Sequence, residues 1–95
     1  MKPIFIPLKT EFYEAFISGT KKYEYRKYGG YWSEKHIWPG KEVVISKGYG
    51  KHNRRKGVVT SFQKTMGYNC PNPQSVKQIY GTTDIEIAEI GIELV

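Results

Sequence analysis

The apolar residues of this chain come in short strand-like runs that glycine or proline keeps interrupting, and this restricts the fold more than any other feature of the sequence. Residues 3 to 8 read PIFIPL, residues 43 to 46 read VVIS, residues 57 to 62 read GVVTSF, and a last run extends from Ile85 to Leu94. Runs of this length and composition are strands rather than helices. None approaches the ~18 to 20 apolar residues of a membrane span, so no membrane association is expected. With 95 residues and one cysteine the chain is expected to be one domain, residues 1–95, without an intrachain disulfide, and packing must hold it together. Cys70 lies in a loop-like NCPNP run as an unpaired thiol. The first ten residues lack the long apolar region and cleavage site of a secretory signal, so a soluble, cytoplasmic protein is expected, and the small size and compact organisation suggest a monomer.

Between the strands two short helices are expected. Thr10 is a candidate cap, Glu11 and Glu14 suit the positive end of a helix dipole, Phe12, Ala15 and Phe16 form an apolar stripe, and Gly19 is a stop signal. A second helix begins at Asn72 and Pro73 and ends before Gly81, with Val76, Ile79 and Tyr80 as its buried face. The segment KYEYRKY, residues 22 to 28, alternates as a strand with Tyr23 and Tyr25 on one face and Glu24, Arg26 and Tyr28 on the other. The tyrosines at 23 and 25 are expected to fill the core. The stretch from Tyr31 to Trp38 is ambiguous between helix and loop, and Pro39-Gly40 is a turn. In the last run Ile85 and Ile87 have one parity and Ala88, Ile90, Ile92 and Leu94 the other, so a bulge near Ala88 is expected. About five short strands and two short helices without regular alternation give an α+β domain built around a small β-barrel.

The charge is unevenly placed. The net +6 arises from a segment between Val43 and Thr83 with no acidic residue and seven basic ones, Lys47, Lys51, Arg54, Arg55, Lys56, Lys64 and Lys77. The rest of the chain is close to neutral. A one-sign segment attracts polyanions and gains from counterion release at phosphates, which points to nucleic acid; a basic surface kept for solubility is the plainer alternative. Much of this charge falls in KGYGKHNRRK, residues 47 to 56, read as an exposed hairpin arm in which Tyr49 offers a ring for stacking.

Residues 19 to 26 read GTKKYEYR at the junction of the first helix and the charged strand. This G-x-K-x-x-E-x-R spacing resembles the signature of the ASCH domain family, and the order of elements, with the Tyr31-Trp32 pair after the motif, is similar over most of the chain. The resemblance implies a PUA-like fold, a small β-barrel of five to six strands associated with RNA recognition. Independently of the name, Gly19 lets the chain turn and present Lys21, while Glu24 and Arg26 lie two apart on one strand face and can pair. An ordinary surface ion pair would account for the same two residues. The expected cleft is framed by Lys21, Glu24 and Arg26, with Tyr28 and Trp32 as stacking candidates and Lys47, Tyr49, Lys51, Arg54, Arg55 and Lys56 as the arm that grips phosphates.

Three functions follow from the resemblance or from the charge. The first is an RNA-binding or other nucleic-acid-binding module, with a modified nucleoside as a further ligand class. The second is an ASCH-type ribonuclease, metal-dependent or not, in which Lys21 or Arg26 stabilises charge and Glu24, His36 or His52 moves protons or helps to hold a metal. His36 and His52 have no ligand-like spacing and no carboxylate cluster is apparent, so neither a metal site nor a cofactor is expected. A related branch of the family removes an acyl group from modified cytidine. Here Glu24 stands where that branch has a threonine, and the stretch expected to carry its glutamate has no carboxylate. A module that modulates another protein is the third class.

Overall fold

The computed structural model describes residues 2–95 and contains five strands and two α-helices: β1 (Ile4–Leu8), α1 (Thr10–Ser18), β2 (Tyr23–Lys27), β3 (Glu42–Lys47), β4 (Arg54–Met66), α2 (Pro73–Tyr80) and β5 (Glu86–Leu94), with one 3₁₀ turn (Gly67–Asn69) before α2. The strands form one sheet in the order β1-β3-β4-β5-β2, curled into a half-barrel. β1 runs parallel to β3 and all other pairs are antiparallel. The proline-flanked first run is thus an edge strand, where a missing ladder donor is tolerated. The expected α+β class with a barrel-like sheet is what forms. No helix among the described residues is long and apolar enough to cross a membrane.

The main core comes from alternate residues of the strands: Ile4, Ile6 and Leu8, Val43 and Ile45, Val59, and Ala88, Ile90 and Ile92. Tyr13 and Phe16 of α1 and Ile37 of the β2–β3 connection complete it. Each of the fully buried isoleucines contributes roughly 1.5–3 kcal/mol through apolar burial. A second, smaller cluster of Cys70, Val76 and Ile87 lies on the opposite sheet face, beneath α2.

These two clusters explain the mixed parity of the last run. Ile87 and Ala88 are neighbours pointing to opposite faces, and both are buried because β5 is covered on both sides at that point. β5 therefore has no bulge at Ala88, and its pairing with β2 is uninterrupted from Tyr23↔Gly91 to Lys27↔Ile87. The irregularity is in the partner strand, where Thr60 is the extra residue between the pairs Val59↔Ile92 and Ser61↔Gly91.

Other expectations are also corrected. Thr10 is the first residue of α1, with Lys9 at the cap position and no side-chain cap bond, and the buried stripe is Tyr13 and Phe16 while Phe12 is exposed. In α2 Asn72 is the cap, its Oδ1 accepting from the Ser75 N–H at 3.3 Å, but only Val76 is buried. Ile79 is 71% exposed, because the helix is short and packs against the sheet by a single turn. β4 begins at Arg54 rather than Gly57, so the basic residues 54–56 are strand residues paired with β3 and the loop is cut to residues 48–53.

Candidate functional site

The site is assembled where α1 hands over to β2. Gly19 takes a left-handed conformation, φ 83°, that other residues adopt at a cost, and its N–H together with those of Thr20 and Lys21 returns to the carbonyls of Phe16 and Ala15. The chain leaves the helix in one step, and Lys21 precedes β2 instead of prolonging α1.

β2 is the second edge of the sheet, and its charged face is turned inward. Glu24 is only 8% exposed, whereas Tyr23 is 44% exposed, which reverses the expected placement of charge and ring. The carboxylate is tolerated there because both oxygens are neutralised: Lys21 Nζ lies 3.5 Å from Oε1, and Arg26 donates to Oε2 from Nε at 3.1 Å and from Nη2 at 2.7 Å. Arg26 Nη2 also donates to the Pro7 carbonyl on β1 at 2.9 Å, and its guanidinium lies 4.9 Å from the Trp32 ring centre. One side chain thus spans the gap between the two edges of the curled sheet. Lys21 is held over Phe12, Phe16 and Tyr25 at 5.4 to 5.6 Å, so its stem is packed and its ammonium sits beside π faces.

Lys21, Glu24 and Arg26 line one groove of about 520 Å³ between this seam and α2. Its walls are Phe12 of α1, Tyr25, Cys70, and Ile79 and Tyr80 of α2. Glu24 is the only carboxylate among the lining residues. The groove is thus largely apolar with three cations, Lys9, Lys21 and Arg26, among its lining residues, and its size is within the range of small-ligand sites. Burial and then the Glu89 carboxylate push the Tyr25 phenol up to about 12, and the same two influences, in the same order, push the Cys70 thiol above its usual range. Both groups are therefore protonated and uncharged at neutral pH.

The remaining sequence candidates are distributed elsewhere. Trp32 packs against the core and supports Arg26 from behind instead of lining the groove. Tyr28 also lies outside the lining residues: its hydroxyl donates to Glu34, which raises the phenol and lowers the carboxyl from their ordinary values, and Lys64 stacks over its ring at 4.9 Å. The expected arm is a tight hairpin and not a projecting limb. Arg54 stacks on Phe5 at 4.9 Å and donates to the Gly50 and Tyr49 carbonyls, so its guanidinium organises the turn. Lys47 pairs with Glu14 at 3.5 Å. Tyr49 is 80% exposed, and Lys51 and Lys56 are exposed. Arg55 alternates to the other sheet face from Arg54 and Lys56, because residues 54–56 are a strand, and it borders a different groove. Among the described residues no three His, Cys, Asp or Glu side chains come together to hold a metal ion; His36 stacks on Tyr31 and His52 is exposed in the β3–β4 turn.

The α2 wall of the groove was not anticipated. Ile79 and Tyr80 read as ordinary buried helix residues in the sequence, and nothing in the spacing distinguishes a residue under a helix from one at the rim of a groove.

No family model matches the chain, and no curated protein matches it. Among solved structures it is similar to the crystal structure of a hypothetical protein, PH0355, with 16% sequence identity and a TM-score of 0.69 over 99% of this chain and 100% of that one. At that identity the likeness is one of fold, and it extends over the whole half-barrel together with both helices.

Proposed function

We propose that this chain is a small ASCH-type domain of PUA-like fold that binds unpaired RNA, working as a monomer in the cytoplasm, with the Lys21–Glu24–Arg26 groove as its ligand cleft. The observation that carries this reading is that two cations converge on a single carboxylate at the side of a groove walled by rings and aliphatic side chains. Such a site offers positive charge to a phosphate and an apolar face to a base. The acid-free segment from Val43 to Thr83 adds an electrostatic field of the same sign.

The enzymatic alternatives ask more of these residues. A ribonuclease would need Glu24 to exchange a proton, and both of its oxygens are already engaged by cations. An amidohydrolase would need a second carboxylate, and the groove has none among its lining residues.

The test is retention of end-labelled single-stranded RNA by wild type and Lys21→Ala across a salt series, with intact and cleaved RNA resolved on one gel. Binding that weakens with salt, drops in Lys21→Ala and leaves the RNA intact is the expected result. Cleavage lost in Lys21→Ala would replace binding by catalysis, and the absence of both retention and cleavage would overturn the nucleic-acid reading.

A further inference from the structure

A second groove of about 530 Å³ opens beside the first and shares Lys21 with it. It lies between the end of α1 and the start of β2 on one side and β4 and β5 on the other, with Lys22, Tyr23 and Arg55 among its lining residues. Three cations line it against one carboxylate, Glu93. Lys22 and Arg55 make no ion pair and no side-chain hydrogen bond among the described residues, in contrast to Lys21, Arg26, Lys47 and Lys64, each of which has a carboxylate partner. Two of the carbonyls in the last turn of α1, whose dipole would repel an anion, are occupied: Phe16 O accepts from Gly19 N–H, and Ala15 O from Thr20 and Lys21 N–H and from the Ser18 and Thr20 hydroxyls. The groove therefore presents two uncommitted cations and an exposed ring, Tyr23, at 44% exposure.

The first groove alone fits a ligand the size of a nucleotide, and Lys21, which lines both, places the second groove next to it at the edge strand. We infer that the second groove is a backbone subsite, in which Lys22 and Arg55 bind phosphates of a strand whose neighbouring nucleotide occupies the Lys21–Arg26 groove. The ligand is then a single-stranded oligonucleotide and not a free nucleoside or mononucleotide. This assignment rests on the nucleic-acid reading of the first groove and adds the length of the ligand to it.

The test compares fluorescein-labelled oligouridylate of about ten nucleotides, a length chosen to span both grooves, with uridine monophosphate as the short probe. Wild type, Lys21→Ala and the double variant Lys22→Ala with Arg55→Ala are titrated across a salt series. The double variant should bind the oligomer more weakly, with the slope of log affinity against log salt reduced by about 1.4 for two lost phosphate contacts on a single strand. Its response to the monophosphate should equal that of wild type, whereas Lys21→Ala should weaken both. Wild-type oligomer affinity and slope in the double variant would overturn the subsite while leaving the first groove intact. An equal loss for oligomer and monophosphate would show a diffuse field instead of a subsite and would also overturn it. If wild type binds neither probe, the nucleic-acid reading itself fails and the subsite with it.

Discussion

Arg26 on β2 donates a hydrogen bond across the seam of the half-barrel to the carbonyl of Pro7 on β1, at 2.9 Å. The two strands are opposite edges of the sheet and have no backbone ladder between them, so this side chain, with Glu24 steadying it, is what links them. The guanidinium has a structural task as well as a place in the groove, and the two can be separated by experiment.

Arg26→Ala is expected to destabilise the fold by about 2 kcal/mol, the scale of hydrogen bonds that involve a charged group and a partner left behind without it. Arg26→Lys should recover only part of this, since an ammonium cannot reproduce the two-pronged contact with Glu24 together with the bond to Pro7. Urea unfolding of both variants checks the expectation, and midpoints unchanged from wild type would remove the seam role.

Glu24 neutralises two cations that would otherwise be available to an anionic ligand. Glu24→Gln should bind RNA at least as tightly as wild type, with a steeper salt dependence, while losing stability because Lys21 and Arg26 then repel. A loss of RNA affinity in this variant, measured by the same salt titration, would mean that Glu24 contacts the ligand itself.

The 3₁₀ turn beneath α2 has room only for glycine. A Cβ on Gly67 would stand 2.7 Å from the Thr83 carbonyl oxygen and 2.8 Å from Val76 Cγ1, and the backbone oxygen cannot swing away. Gly67→Ala should therefore cost about 1–3 kcal/mol and loosen α2. Faster amide exchange in residues 73–80 than in β3 and β4 would identify α2 as the element released; uniform change across the sheet would contradict this.

Alkaline titration has a defined sign. The Tyr25 phenol is raised from 10.0 to about 12 in the fold, chiefly by burial and then by Glu89. Between those values the unfolded chain has lost the proton and the folded one retains it, so stability is fully present below pH 10 and is lost as pH rises toward 12. In Tyr25→Phe this part of the alkaline loss should disappear, as followed by denaturant unfolding at several pH values. An identical pH profile in the variant would show that Tyr25 contributes nothing to it.

Local chemistry made much of this structure legible in the sequence. The stop at Gly19, the cap at Asn72 and the short apolar run VVIS fix the helix end, the start of α2 and β3 through features only a few residues long. The triad was legible for the same reason, because Lys21, Glu24 and Arg26 lie within six residues, Glu24 and Arg26 on one face of β2 and Lys21 just before it. What was misread depends on partners far along the chain. Tyr23 and Glu24 exchange their expected environments because Glu24 faces a seam where Lys21 and Arg26 neutralise it and the distant Pro7 carbonyl holds Arg26 in place, whereas alternation alone places the ring inside. Ile87 and Ala88 are both buried because α2 returns to cover the second face of β5, so a change of parity that reads as a bulge is a strand with two coats. Residues 54–56 read as a loop by their charge, yet pairing with β3 draws them into the ladder and divides the basic run between two faces.

The groove of Lys21, Glu24 and Arg26 is the proposed RNA site. An amide NMR titration of the assigned protein with a short single-stranded RNA tests it most directly. Shifts concentrated on Lys21 to Arg26, on Phe12 and on Ile79 and Tyr80 across the groove are the predicted result. Shifts confined to the Phe5–Arg54–Tyr49 side, or no shifts at all, would contradict it.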